Sequence, residues 1–240
     1  MAENRRHFRM LALFRLPSHE TGMSDVIRSY AQGVTLLGGG TADRADLALA
    51  LGLAPGLVAA DGGGDRALAL GLVPDAVIGD LDSLSAAGRE RLGARVHHVA
   101  EQDSTDFGKC LNLVRARFYL GLGFTGLRLD HTLAALSEIA QRPGQPVILI
   151  AEDDAIFRAP RHLRLDLPAG ERFSIFPFGA VTGRSEGLNW PIEGLDFAPA
   201  GRVGTSNRVT GPVTLDLEGP ALILVPKRYL GTLPAALGLL

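Results

Sequence analysis

The hydrophobic positions in the first two thirds of the chain alternate between two patterns. Short, nearly continuous apolar runs, most of them next to Gly- or Asp-rich turns, predict buried strands at 34–40, 57–61, 75–80, 95–100, 119–123 and 146–152. Apolar residues at helical spacing predict helices between them, at 43–52, 65–71, 85–93, 105–118 and 130–141. Because strands that alternate with helices indicate βαβ units, we expect an α/β fold: a mostly parallel, Rossmann-like sheet with helices on both faces.

The pattern changes after about residue 158, where helical spacing disappears. Short β-type runs follow, separated by turn signals such as PAG and PFG, which is typical of a small antiparallel sandwich or barrel. We therefore expect an α/β domain over 24–158 and a C-terminal antiparallel β-sandwich domain over 159–240. Residues 1–23 are expected to be a loose extension, because their apolar stretch MLALF is too short for a secretory signal.

Composition removes several function classes. A net charge of −2 gives no electrostatic reason to expect nucleic acid as a partner. The single cysteine, Cys110, rules out an intramolecular disulfide and fits a reducing cytoplasm. No apolar run reaches the ~18 residues that a bilayer span needs, so we expect no membrane partner and a cytoplasmic location.

Aspartates concentrate in Gly-rich turns: eight of them lie between Asp61 and Asp130. Ligands of open parallel sheets bind beyond the carboxyl ends of the strands, which is where several of these turns should lie. Crowded carboxylates repel one another, so their grouping predicts a cation, and oxygen ligands favour magnesium that carries a nucleotide polyphosphate. Glycines in GGG (38–40) and DGGG (61–64) would let the backbone approach a phosphate, although GGG alone also fits a simple tight turn.

The acidic motifs also have purely structural interpretations. If GDLDS is extended, Asp80 and Asp82 share one face with Cα atoms roughly 6.5 Å apart. Otherwise Asp82 caps the next helix and Asp80 forms an Asx turn. Behind a predicted N-cap at Thr105, Asp106 and Lys109 could be a surface ion pair with i,i+3 spacing.

Three later segments also have purely structural interpretations. Asp130 in GLRLDH could be a simple N-cap. Trp190, the only tryptophan, precedes a proline and is therefore expected in extended or turn backbone, where it could be a core anchor of the sandwich. Ser206 and Asn207 in GTSNRV have the composition of a turn.

Taken in order, these segments resemble the thiamine pyrophosphokinase family. The matching motifs are LLGGG, ADGG, PDAVIGDLDS, EQDSTDFGKCL and GLRLDHTLA, followed by GLNWPIEGLDF and GTSNRV. The resemblance extends from about residue 34 to residue 226. It departs from the family's GGRxDH pattern at Leu127, which replaces the second glycine.

The resemblance implies transfer of a pyrophosphoryl group from ATP to the hydroxyl of thiamine, which leaves AMP and thiamine diphosphate. It implies a homodimer in which the second domain of one subunit completes the site of the other. The implied catalytic residues are Asp80, Asp82, Asp106, Asp130 and Lys109, and the four aspartates are the implied magnesium ligands. The implied ATP-binding residues are Gly39, Asp61, Gly62, Gln102, Asp103 and Arg128, and the implied thiamine-binding residues are Trp190, Ser206 and Asn207.

Two other functions remain open at this point. A strand followed by DLDS also fits a magnesium-dependent phosphohydrolase that uses its first aspartate as the nucleophile. A non-catalytic sensor of thiamine or nucleotide could keep Trp190 without needing the acidic residues. Release of AMP rather than inorganic phosphate separates the kinase from the phosphohydrolase.

Overall fold

The structure is a computed structural model that describes residues 26–240. The expected loose extension over residues 1–23 lies outside the described residues. The helices are α1 (Arg44–Leu53), α2 (Gly63–Ala69), α3 (Ala86–Leu92), α4 (Asp106–Leu113), α5 (Leu129–Ala140) and α6 (Leu233–Ala236). Short 3₁₀ turns lie at Gly93–Arg95 and Lys227–Tyr229.

The strands fall into an N-terminal and a C-terminal set. The first set is β1 (Arg28–Ser29), β2 (Val34–Leu37), β3 (Gly56–Ala60), β4 (Ala76–Gly79), β5 (Val96–His98), β6 (Val114–Arg115), β7 (Tyr119–Leu122) and β8 (Val147–Ile150). The second set is β9 (Asp154–Arg158), β10 (His162–Leu165), β11 (Arg172–Pro177), β12 (Thr182–Leu188), β13 (Gly204–Glu218) and β14 (Ala221–Pro226).

One path of neighbouring strands joins both sets. It starts as β5-β4-β3-β2-β7-β8, in which every pairing is parallel. It continues as β9-β14-β11-β13-β10, in which every pairing is antiparallel, and β12 pairs with β13 beside the path. The predicted α/β fold is confirmed, and the N-terminal strands on this path pair in parallel. A separate Rossmann-like parallel sheet is not confirmed, because the antiparallel strands continue the same mixed sheet.

The change of direction occurs at a tight turn after β8. There the amide of Ala151 donates to the carbonyl of Asp154 at 2.8 Å, so the chain reverses and β9 returns antiparallel to β8. A parallel return would require a crossover of a dozen residues or so, and the sequence provides none here. The largest group of buried apolar side chains includes Leu120 from β7 and Phe173 from β11, so the core continues across the turn. The division at 158/159 stays a prediction.

The parallel strands β2, β3, β4, β7 and β8 are buried on both faces, whereas the edge strand β5 is only partly buried. Along β8, Ile148 and Ile150 enter one apolar cluster and Val147 and Leu149 enter another, as the two-residue period of a strand requires. Helix α1 covers the first cluster, and α4 and α5 cover the second. Continuous apolar runs are the sequence pattern of strands covered in this way.

The predicted helix over 105–118 is too long, since α4 ends at Leu113. Residues 114–115 form β6, which pairs in parallel with β1 through Arg28 and Val114. The amide of Ile27 also donates to the carbonyl of Leu113 at 2.8 Å, so a distant segment takes over the backbone bonding where the helix would have continued. Across residues 26–240, no helix combines the length and hydropathy of a membrane-spanning segment.

Two glycines provide a matched test of this packing. At Gly63, where α2 begins, a Cβ would lie 2.0 Å from the carbonyl oxygen of Leu37, whereas a Cβ at Gly52 in α1 would meet nothing within 4 Å. We expect Gly63→Ala to lower the free energy of unfolding by roughly 1–3 kcal/mol, because backbone atoms must move. Gly52→Ala should raise it by about 0.5–1 kcal/mol. Urea unfolding monitored by circular dichroism measures both, and equal midpoints would contradict the packing described.

Candidate active site at the carboxyl ends of the parallel strands

The turns that follow β2, β3, β4 and β7 meet at one edge of the sheet. A Cβ added to Gly39 would lie 3.7 Å from the carbonyl carbon of Gly62, and one added to Gly62 would lie 3.3 Å from the Cβ of Ser83. The amide of Gly40 donates to the carbonyl of Gly123 at 2.9 Å. The two glycine turns therefore lie side by side next to the GDLDS turn.

Three carboxylates converge at this edge. Asp61, Asp80 and Asp82 each present an oxygen within 4.8 Å of the others, and we call these three residues the acidic group. Asp61 is 5% exposed, whereas Asp82 is exposed to solvent. The prediction that GDLDS is extended is wrong, because Leu81 has a φ of +67°. The helix-cap alternative for Asp82 is also wrong, since Ser85 caps α3 and its hydroxyl accepts from the amide of Gly88. The Asx turn predicted at Asp80 is confirmed, because the amide of Asp82 donates to the Asp80 carboxylate.

Hydrogen bonds from the GDLDS turn stabilise the acidic group. The amide of Ser83 donates to Oδ2 of Asp61 at 3.1 Å, and the amide of Asp82 donates to Oδ1 of Asp80 at 3.3 Å. The Ser83 hydroxyl donates to Asp82 at 2.8 Å. Ser83 was not predicted as a site residue, although its place in GDLDS was the available signal.

One oxygen of the acidic group has no partner. Oδ1 of Asp61 is buried and accepts no hydrogen bond from any residue in the described range 26–240. Burial raises the pKa of Asp61, and the charges of Asp106 and Asp82 add to the rise despite the bonds from Ser83. By contrast the pKa of Asp80 is lowered, mainly by the amide of Asp82 and also by Gln102.

Asp106 and Lys109 lie directly behind the acidic group. Oδ1 of Asp106 accepts from Nζ of Lys109 at 3.0 Å and from the amide of Asp80 at 3.4 Å. Lys109 is 2% exposed, so the surface-pair interpretation is wrong. Burial acts to lower the pKa of Lys109, but its hydrogen bond to Asp106 and the charge of that residue raise the pKa overall.

The start of α4 is organised as the sequence predicts. The hydroxyl of Thr105 accepts from the amide of Gly108 at 2.9 Å, which confirms Thr105 as the N-cap. Gly79 separates Asp106 from Asp61: a Cβ there would lie 2.9 Å from Cβ of Asp61 and 3.0 Å from Oδ1 of Asp106. Gly79 therefore allows the two acidic residues to approach the same strand end.

The segment before α4 contributes one direct contact. Nε2 of Gln102 donates to Oδ2 of Asp80 at 3.3 Å. Asp103 is exposed, and its amide donates to Glu101 at 2.8 Å. Glu101 also accepts from Ser104 and so shapes this loop, a role that the sequence analysis missed although the residue opens the EQDSTDFGK motif.

Asp130 does not join the acidic group. Helix α5 begins at Leu129 and Arg128 occupies the N-cap position, so the N-cap interpretation of Asp130 is wrong. Instead Asp130 forms an exposed ion pair with Arg128 at 2.5 Å, and its hydrogen bond from Arg128 lowers the pKa of Asp130. Leu127, at the position of the family's glycine, has a φ of +46° and is 83% exposed.

The three residues implied for thiamine lie together in the antiparallel part. Trp190 is 57% exposed, so the core-anchor interpretation is wrong. Asn207 is buried, and its amide group donates to the carbonyl of Trp190 at 2.7 Å and accepts from the amide of Trp190 at 3.1 Å. Ser206 is exposed with a φ of +60°, and its amide donates to the Ser174 hydroxyl at 3.0 Å. Asn207 therefore fixes the backbone that presents the indole ring.

Backbone strain marks the same motifs. Among residues 26–240, the non-glycine residues with positive φ are Asp61, Leu81, Leu127 and Ser206. Such conformations cost of order 1–3 kcal/mol each and concentrate at functional sites. All four lie in motifs of the family resemblance, so each of these segments is a candidate functional segment on its own backbone geometry.

Comparison with known proteins identifies related chains. A family model described as thiamin pyrophosphokinase, catalytic domain, matches residues 47–149. The chain is 28% identical over 154 residues to thiamine pyrophosphokinase 3 of Oryza sativa subsp. japonica, a match that covers 55% of this chain and 57% of that protein. The chain thus spans a little over half the length of that relative.

Solved structures share the fold. Yeast thiamin pyrophosphokinase superposes with a TM-score of 0.70 at 17% identity, covering 84% of this chain and 91% of that one. Thiamin pyrophosphokinase from Geobacillus thermodenitrificans superposes with a TM-score of 0.67 at 21% identity, covering 81% of this chain and 97% of that one. At these identities the likeness demonstrates the fold alone.

The unpartnered oxygen of Asp61 leads to a testable expectation. Asp61→Asn should raise the free energy of unfolding at neutral pH by about 1 kcal/mol, because a neutral amide costs less to bury than a carboxylate and is not repelled by the charges of Asp106 and Asp82. Because the pKa of Asp61 is raised in the fold, the gain is full above that raised pKa. It disappears as the pH falls toward the ordinary value of 3.8, where the wild-type side chain is also neutral.

Asp65 provides the control for this experiment, because both its oxygens are bonded, one to the amide and one to the hydroxyl of Ser85. Asp65→Asn should lower stability, so the two variants move in opposite directions. Urea unfolding at several pH values, without divalent cations, measures this. Loss of stability in Asp61→Asn at neutral pH would contradict the account.

Proposed function

We propose that this chain is a member of the thiamin pyrophosphokinase family, whose catalytic-domain model matches residues 47–149, and that it transfers a pyrophosphoryl group from ATP to the hydroxyl of thiamine. The products are thiamine diphosphate and AMP. The observation that carries the proposal is the acidic group, which brings three carboxylates together within the matched segment. One of their oxygens, Oδ1 of Asp61, is buried and has no hydrogen-bond partner among the described residues. Carboxylates are brought together in this way where a cation and polyphosphate neutralise them.

The acidic group fits a magnesium ion. Oδ1 of Asp61 is a hard oxygen ligand with no protein partner in the described chain, and Asp80 and Asp82 supply further carboxylate oxygens beside it. A bound magnesium ion neutralises charge on phosphate oxygens during phosphoryl-type transfer. In this proposal Asp61 is a magnesium ligand together with Asp80 and Asp82. Asp106 is not a ligand, but it accepts a hydrogen bond from the amide of Asp80 and so helps to hold that residue in place. Asp130 is not proposed as a magnesium ligand, because its carboxylate is paired with Arg128.

The protein's own contribution is position and charge. Gln102 orients Asp80, and Lys109 fixes Asp106 within the protein, where its positive charge offsets part of the local negative charge. Positioning and charge neutralisation are the main protein contributions to phosphoryl-type transfer.

ATP is proposed to bind across the adjoining glycine turns. Gly39 and Gly62 lie side by side and carry no side chains that would keep a phosphate away from the backbone. Arg128 at the neighbouring turn is exposed, and a guanidinium suits phosphate oxygens. Asp103 is exposed next to Gln102 and is proposed to line the same cleft.

Thiamine is proposed to bind at Trp190. Its thiazolium ring is cationic, and the exposed face of an indole attracts such a ring by about 0.5–2 kcal/mol. Asn207 acts by holding the backbone of Trp190 through two hydrogen bonds. Ser206, which precedes Asn207 in the chain, is exposed and offers a hydroxyl group. This assigns Asn207 a supporting role rather than the direct contact that the resemblance implies.

A homodimer would bring the two half-sites together. The acidic group takes its hydrogen bonds from residues 82–102, whereas Trp190 is bonded to Asn207 in the antiparallel part. As the family resemblance implies, we propose that Trp190 of the partner subunit lies opposite the acidic group, with 24–158 as the catalytic domain and 159–240 as a β-sandwich domain that binds thiamine. A cytoplasmic location belongs to the same proposal.

The direct test is incubation of the full chain with thiamine, ATP and magnesium, followed by chromatographic detection of AMP and thiamine diphosphate. Asp80→Asn should lower kcat by roughly 10²–10³-fold, the loss typical when one group that stabilises transition-state charge is removed. Asp166→Asn, on the exposed surface of the antiparallel part, is the control and should leave kcat unchanged. Release of inorganic phosphate without AMP would refute the proposal.

Trp190 provides an independent test of the thiamine side. Trp190→Ala should raise the KM for thiamine by roughly 2- to 30-fold, the equivalent of losing about 0.5–2 kcal/mol of cation–π attraction. The KM for ATP should change little, and Trp190→Phe should recover part of the loss because an aromatic face remains. Steady-state kinetics with each substrate varied in turn measures this, and a defect confined to ATP would exclude Trp190 from the thiamine site.

A further inference from the structure

The turn between Asp80 and Asp82 has an unusual backbone at its centre. Leu81 adopts a φ of +67°, a left-handed conformation that glycine adopts easily and a branched aliphatic residue does not. Residues persist in such conformations only where the surrounding structure imposes them. The contacts of Leu81 therefore show what imposes the shape of this turn.

Two contacts anchor Leu81, and neither involves the acidic group. Its side chain is 2% exposed and lies in an apolar cluster with Ala59, Val77, Leu84 and Leu92. Its carbonyl accepts a hydrogen bond from the guanidinium of Arg89 in α3. Arg89 also donates through Nε to the carbonyl of Leu84 at 3.4 Å, so one side chain of α3 holds both the centre of the turn and the residue that follows it.

The shape of this turn determines where the two carboxylates lie. With Leu81 in the left-handed region, the chain folds back far enough for the amide of Asp82 to reach Oδ1 of Asp80 at 3.3 Å. The next amide, that of Ser83, then reaches Asp61 at 3.1 Å. A glycine at position 81 would adopt the same φ without strain, but it would lack the side chain that anchors the turn in the apolar cluster.

We propose that Leu81 and Arg89 are positioning residues, which hold the GDLDS turn so that Asp80 and Asp82 converge with Asp61 on a divalent cation. The inference rests on the proposed function for the identity of the site, and it adds the residues that set the site's geometry. Leu81 acts through burial of its side chain, and Arg89 acts through the carbonyls of Leu81 and Leu84. Neither residue touches the ion or the substrates.

The experiment titrates Mn²⁺ into the full chain without nucleotide and follows free Mn²⁺ by electron paramagnetic resonance. Leu81→Gly and Arg89→Gln should raise the Kd for Mn²⁺ by about 10- to 100-fold, the loss typical of residues that orient metal ligands. Arg89→Lys should recover part of the affinity, because an ammonium can still donate to one carbonyl. Urea unfolding of each variant separates lost affinity from lost fold.

Two matched controls sharpen the comparison. Leu92→Ala truncates a side chain in the same apolar cluster, and Arg91→Gln removes an exposed arginine from the same helix. Both should keep the Kd for Mn²⁺ within about threefold of wild type, a change of less than 1 kcal/mol, even where Leu92→Ala is less stable. Equal loss of affinity in Leu92→Ala and Leu81→Gly would overturn the inference, since it would reduce the effect to general destabilisation.

The inference and the proposed function can fail separately. If the wild-type chain makes thiamine diphosphate but Leu81→Gly and Arg89→Gln bind Mn²⁺ as wild type does, the positioning role is wrong and the enzyme assignment stands. A wild-type chain that binds no Mn²⁺ would overturn the positioning role together with the metal site. The assay for thiamine diphosphate would then decide the enzyme assignment on its own.

Discussion

Repulsion between carboxylates is the constraint around which this protein is organised. Two unit charges about 5 Å apart repel by about 3 kcal/mol at an effective dielectric of about 20. Asp61, Asp80 and Asp82 present oxygens within 4.8 Å of one another, and Asp106 lies directly behind them. Amides of the GDLDS turn and the buried ammonium of Lys109 offset part of this cost. The unpartnered oxygen of Asp61 shows that the offset is incomplete, and a divalent cation would complete it.

Much of the α/β part could be predicted from the sequence because its signals are local. Apolar runs next to Gly- or Asp-rich turns predict the strands β2, β3, β4, β7 and β8, and Thr105 as an N-cap predicts the start of α4. The meeting of acidic turns at one edge follows from parallel strands, whose carboxyl ends share an edge. The family motifs supply the rest of the expectation, since periodicity alone does not identify a substrate.

The failures share one cause, which is that the deciding partner lies far away in the sequence. Helix α4 ends early because β1 takes over the backbone bonding at Val114, and the sheet is mixed because β9 turns back onto β8. Leu81 carries no local mark of positive φ, since glycine is the usual signal and leucine was compatible with an extended segment. Its conformation is set by the apolar cluster and by Arg89, both of which require the folded chain. Asp130 pairs with its near neighbour Arg128, and its role as a magnesium ligand stays a prediction.

The central claim is that the acidic group binds a divalent cation, and anomalous X-ray diffraction from crystals soaked in Mn²⁺ tests it most directly. The account predicts one strong peak within about 2.0–2.3 Å of oxygens from Asp61, Asp80 and Asp82, the spacing of carboxylate ligands to a hard divalent ion. A peak at the Arg128–Asp130 pair instead, or no peak near Oδ1 of Asp61, would contradict it.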